Sequence, residues 1–73
     1  MARQVPVKGE IRLDSFLKWA RITSTGGQSK FFIQSGLVIV NGQVETKRGR
    51  LLRDHDLVHV KDEGEYLVII NQR

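Results

Sequence analysis

Two groups of residues in this 73-residue chain have the chemistry to hold a polyanion. The first is Thr25-Gly26-Gly27 with Lys30 close behind. At the start of a helix, glycines add no side chains, so a bulky anion can reach the free amides at the positive end of the helix dipole. Lys30 lies in the same region, where the dipole alone favours an acid. The second group is Lys47, Arg48, Arg50 and Arg53, four cations within seven residues and no acid among them. Arg12, Lys18 and Arg21 add to these, and phosphate binding is the chemistry they share. A plainer assignment stays open, in which Gly26-Gly27 makes a tight turn and Lys30 is simply solvated.

Other chemistries find less support. His55 and His59, with Asp54 and Asp56, have metal-ligand side chains. On a strand, however, positions 55 and 59 are about 13 Å apart, too far to share an ion. The chain has no cysteine, so thiolate nucleophiles, thiolate metal sites and disulfides are excluded. No serine stands in a nucleophile elbow, GxGxxG is absent, and Gly26-Gly27…Lys30 has neither the strand nor the spacing of a nucleotide-phosphate loop. The expectation is a protein that is not an enzyme and uses no metal or cofactor.

The elements that position these groups follow from spacing. Leu13, Phe16, Leu17 and Ala20 form one apolar stripe, which predicts a first helix with Asp14 near its start. Lys18 and Ser15 fall opposite the stripe, and Arg12 and Trp19 share one flank. Trp19 is then partly buried, either as a boundary core residue or as a stacking surface beside Arg12. Arg21 opens the connection to a second helix capped by Ser24 or Thr25 and closed by Gly36. Its inward face is Ser29, Phe32 and Ile33, with Phe31 about 150° away. Phe31 is expected to be covered by the N-terminal segment; left exposed beside Lys30, it becomes a candidate for base stacking.

A hairpin follows, from Leu37–Val40 through a type I′ turn at Asn41-Gly42 to Gln43-Val44. The basic run comes next, with Leu51 and Leu52 tacking its far end to the core. Strands are predicted at Leu57–Val60 and, after a turn around Gly64, at Tyr66–Ile70. Pro6 makes Gln4–Lys8 an edge strand. The order predicts one α+β domain over residues 1–73, two packed helices against a small, mostly antiparallel sheet. Residues 61–73 supply the final strand.

The formal net charge of +4 conceals a division. Residues 1–53 hold ten lysines and arginines against Glu10, Asp14 and Glu45, a balance of +7; residues 54–73 hold Lys61 and Arg73 against five acids, a balance of −3. Segregated positive charge favours nucleic acid over indiscriminate adhesion. No helix pairs a basic face with a broad apolar one, so a membrane surface is not expected as the partner. The opening residues lack the apolar core of a secretory signal, and a cytoplasmic monomer is the expectation.

Taken in order, Arg12-Leu13-Asp14, Phe16-Leu17, the Arg21-to-Ser24 connection, Ser29-Lys30, Phe32-Ile33, Gly36, Val38 and Val40-Asn41-Gly42 resemble a known family. It is the RNA-binding domain named after the fourth protein of the small ribosomal subunit, and the match covers roughly residues 11–60. Thr25-Gly26-Gly27, Lys30, Val40-Asn41-Gly42 and Lys47-Arg48-Gly49-Arg50 are similar to the family's short, free-standing bacterial members. The resemblance implies an αL-type motif with structured RNA, ribosomal or transfer, lying across the helix pair and adjacent loop. The chain departs from the family at Thr23–Gly27, which carries no charge, and at His55-Asp56, where Gly-Asp is common. The expected function is non-enzymatic binding of structured RNA in ribosome assembly or translation. Contacts are expected from Arg12, Lys18, Arg21, Thr25, Gly26, Gly27, Lys30, Lys47, Arg48 and Arg50, with Trp19 and Phe31 as possible stacking residues. The rival is a module that docks an acidic, ribosome-associated protein on the same face.

Overall fold

A computed structural model describes residues 2–70, so the predicted extension of the final strand through 71–73 lies outside the described residues. The chain runs β1 (Arg3–Val7), β2 (Ile11–Arg12), α1 (Leu13–Trp19), α2 (Gly26–Gln34), β3 (Val38–Val40), β4 (Gln43–Val44), β5 (Leu51–Leu52), β6 (Leu57–Val60) and β7 (Gly64–Ile70). Five strands form one sheet in the order β1-β7-β6-β3-β4, and β2 and β5 form a separate pair. All pairings are antiparallel except that of β1 with β7. This is the expected α+β architecture, with the Pro6 strand at an edge.

Period-two alternation decides which sheet face is buried. Val5, Val7, Val38, Val40, Val58, Val60, Tyr66 and Val68 are buried, and they join Leu13, Phe16, Leu17 and Ile33 from the helices in one core. The register aligns them, placing Val38 opposite Val60, Val58 opposite Tyr66 and Val5 opposite Val68. Each fully buried large side chain contributes about 1.5–3 kcal/mol. At seven residues α1 is too short to persist alone, so this packing maintains it.

Between the helices, Ser29 is fully buried and its hydroxyl is hydrogen-bonded to that of Thr23, which lets a small polar residue occupy a tight crossing. Both helices end in the same way. Gly36 N donates to Ile33 O and Leu37 N to Phe32 O; Arg21 N donates to Lys18 O and Ile22 N to Leu17 O. The residue closing each motif has positive φ, 79° at Gly36 and 62° at Arg21. Glycine suits that conformation, whereas an arginine there costs on the order of 1 kcal/mol.

The predicted hairpin forms with Ile39 opposite Val44, and Asn41 and Gly42 adopt φ of 51° and 84°. Asn41 also ties two strands together: its Oδ1 accepts from Leu57 N and its Nδ2 donates to Asp56 Oδ1. The β2–β5 pair is an addition, because two-residue strands are too short to show periodicity. It corrects the expectation for Leu51 and Leu52: Leu52 is fully buried, but Leu51 is half exposed.

Candidate nucleic-acid interface

The basic loop is fixed to the first helix by backbone hydrogen bonds. The first turn of α1 leaves amides without partners, and its N-cap, Arg12, supplies no side-chain acceptor. Carbonyls of the loop take that role, with Leu13 N donating to Arg50 O at 2.8 Å and Asp14 N to Arg48 O at 3.1 Å. Arg50 N in turn donates to Lys47 O. The cations of the loop therefore project from backbone that is also the cap of a helix, and the arrangement is determined by the chain rather than left to a mobile loop.

Glu45 secures the other end. Its Oε2 accepts from Lys47 N at 3.0 Å and its Oε1 from Arg50 Nη1 at 2.9 Å. These bonds, the Lys47 amide first and the Arg50 guanidinium second, hold the Glu45 carboxyl below the usual carboxylate range. Arg12 reaches Asp14 Oδ2 at 3.0 Å and lies against Gly49, whose Cα would carry a side chain 3.8 Å from Arg12 Nη2. The sequence points to Arg12 and Arg50 as candidate contacts but not to the two acids that engage them. Lys18, Lys30, Lys47 and Arg48 are exposed and form no ion pair among the described residues.

At the start of α2, Thr25 is the N-cap, its hydroxyl accepting from Gln28 N, while Gln28 Oε1 accepts from Ser24 N. Gly26 and Gly27 are exposed, and a Cβ added to either would meet nothing within 4 Å. The glycine pair is open to an approaching anion. Lys30 is one turn further along, on the exposed part of the same helix.

The aromatic positions need correction. Phe31 is 64% exposed, not covered, because the N-terminal segment pairs with β7 and reaches α1 instead of α2. It stands edge-on to half-buried Phe32, with ring centres 6.4 Å apart. Trp19 is 54% exposed, so it is not a boundary core residue, and its Nε1 donates to Pro6 O at 2.8 Å. That bond directs the indole toward β1, whereas Arg12 turns to Asp14 and Gly49, so the alternative of a stacking surface at Trp19 beside Arg12 is not the arrangement found. Arg21 is also separated from the loop. It lies at the far end of α1, in a cleft with Arg3.

His55 Nδ1 is 2.9 Å from Asp54 Oδ2, and His59 Nδ1 is 3.9 Å from Glu65 Oε2. No group of three or more His, Asp or Glu is arranged to hold a metal ion among the described residues. None of the described helices is long and apolar enough to cross a membrane.

Comparison with known proteins agrees with this geometry. Residues 6–69 match the family model of the S4 domain. The chain is also 34% identical over 70 residues to a protein of Bacillus subtilis (strain 168) named probable ribosome maturation protein RlbA. The alignment covers 94% of this chain and 99% of that relative. With nearly its whole length matched and its two helices set on the expected sheet, the chain belongs to the S4 domain family.

Proposed function

We propose that the protein binds structured RNA, ribosomal or transfer, through the surface formed by the two helices and the loop after β4, without catalysis, as a cytoplasmic monomer. The observation that carries this is the capping of α1 by the carbonyls of Arg48 and Arg50, which joins the cationic loop to the helix pair. Lys18, Lys30, Lys47 and Arg48 would meet phosphates directly, and the Gly26 and Gly27 amides would take another. Arg12 and Arg50 would take part once released from their acids. Such contacts position RNA by shape and carry no direct sequence information. The name of the Bacillus relative, a probable ribosome maturation protein, supports a ribosomal RNA and a role in ribosome assembly.

The test is the pair Lys30→Glu and Arg48→Glu, measured by fluorescence anisotropy against a structured ribosomal RNA fragment. Reversing two phosphate-facing charges should weaken binding on the order of 10²- to 10³-fold at 0.1 M salt, with circular dichroism unchanged. Unaltered affinity in a folded double variant removes the proposal. Sedimentation with ribosomes before and after ribonuclease treatment separates RNA from an acidic protein partner, since only the latter contact survives digestion.

A further inference from the structure

A second cationic cleft lies between β1 and the C-terminal end of α1. It measures about 190 Å³ and is lined by Trp19, Pro6 and Gln4, with Arg3 and Arg21 also on its walls. No acid lines it, and neither arginine forms an ion pair among the described residues. The indole is more than half exposed, yet its orientation is set by the bond from Nε1 to Pro6 O. With its only donor already used, the indole has its π face left to offer a ligand.

Arg21 is the second, independent observation. It closes the same motif as Gly36, at φ 62°, where glycine would sit without strain. Arg21 is one of four non-glycine residues with positive φ among the described residues, and of these it is the one whose side chain lines this cleft. An aromatic face flanked by two guanidinium groups matches a base with its phosphate, the combination found in single-strand recognition.

We infer that this cleft receives one unpaired nucleotide of the bound RNA, its base stacked on Trp19 and its phosphate between Arg3 and Arg21. The inference rests on the RNA-binding reading and adds a single-stranded element to a surface otherwise suited to folded RNA. Trp19 is the only tryptophan in the chain, and it also borders a neighbouring hollow lined by Lys8, Glu10 and Ile11, so its emission reports on this end of α1 and the Arg21 variant assigns the signal to the arginine cleft.

The experiment compares a blunt RNA hairpin with the same hairpin carrying a three-nucleotide single-stranded flank. The flanked RNA should quench Trp19 and bind about tenfold more tightly than the blunt one. Trp19→Leu should abolish that tenfold gain and leave blunt affinity unchanged, and Trp19→Phe should retain most of it. Arg21→Gly should reduce the gain with no loss in Tm, since glycine accepts the backbone conformation. If Trp19→Leu fails to fold, the wild-type emission and Arg21→Gly still decide. Blunt RNA that binds, with no gain from the flank and unmoved emission, overturns this inference alone. Failure of both RNAs to bind overturns the RNA-binding reading with it. An oligoglutamate peptide that quenches Trp19 where the flanked RNA does not would assign the cleft to a protein partner and also overturn the inference.

Discussion

Replacing Glu45 by Gln should strengthen RNA binding, although it removes an ion pair. Glu45 neutralises Arg50 at 2.9 Å and places a negative charge inside the proposed interface. Of the six cations proposed to meet the RNA there, Arg12 and Arg50 are paired in this way, leaving Lys18, Lys30, Lys47 and Arg48. Four neutralised phosphates give a slope of log K against log salt of about −3 to −4, shallower than the −4 to −5 that six would give. Releasing Arg50 adds about −0.8 to that slope, equivalent to about sixfold tighter binding at 0.1 M salt. The loss of a partly exposed ion pair costs about 0.2–1 kcal/mol of stability, and Gln can still accept from the Lys47 amide. Affinities at several salt concentrations, with a thermal melt of each protein, provide the check. The pH dependence must agree. Because the folded carboxyl titrates below its ordinary value, its stabilising contribution is complete above the unfolded pKa and disappears as pH falls through the folded one. The wild type should thus approach the variant only in acid below the usual carboxylate range. An unchanged slope, or weaker binding by the folded variant, would refute the reasoning and identify Glu45 as an organiser of the loop.

Two further substitutions test the scaffold. Ser29→Ala leaves the buried Thr23 hydroxyl without its partner and should cost about 1–3 kcal/mol in urea denaturation, with little change in helicity once refolded. Asn41→Ala removes the acceptor for Leu57 N and strains the left-handed turn position. Its cost should be about 2 kcal/mol by the same method, and Asn41→Gly should recover only the backbone part of the loss.

The elements that carry a period were legible in the sequence. The stripe of Leu13, Phe16 and Leu17, the Asn41-Gly42 bend and the alternating valines each report a local constraint, and each appears where the spacing places it. The parts that were not legible depend on distant chain. Whether Phe31 is covered depends on the course of the N-terminal strand, which its own residues do not specify. The engagement of Arg50 by Glu45 and of Arg12 by Asp14 arises from side-chain geometry in a loop and at a helix start, where charge counting sees only totals. Arg21 at a glycine-like position was hidden for the opposite reason: a helix closed by arginine leaves no glycine to read. The candidate residues could be named from the sequence, while the division of the cations into paired and unpaired, and the placing of Trp19 and Arg21 at a separate cleft, depend on the fold.

The parallel pairing of Arg3–Val7 with Tyr66–Ile70 makes the earliest strand wait for the last. During synthesis, the helix pair and the Asn41 hairpin can collapse from sequence-local contacts, but the strand that carries Val5 and Val7 has no pairing partner until β7 has emerged. The nascent chain thus reaches its native topology only after β7 has been synthesised, and a truncated product ending before Tyr66 leaves β1 as an unpaired strand.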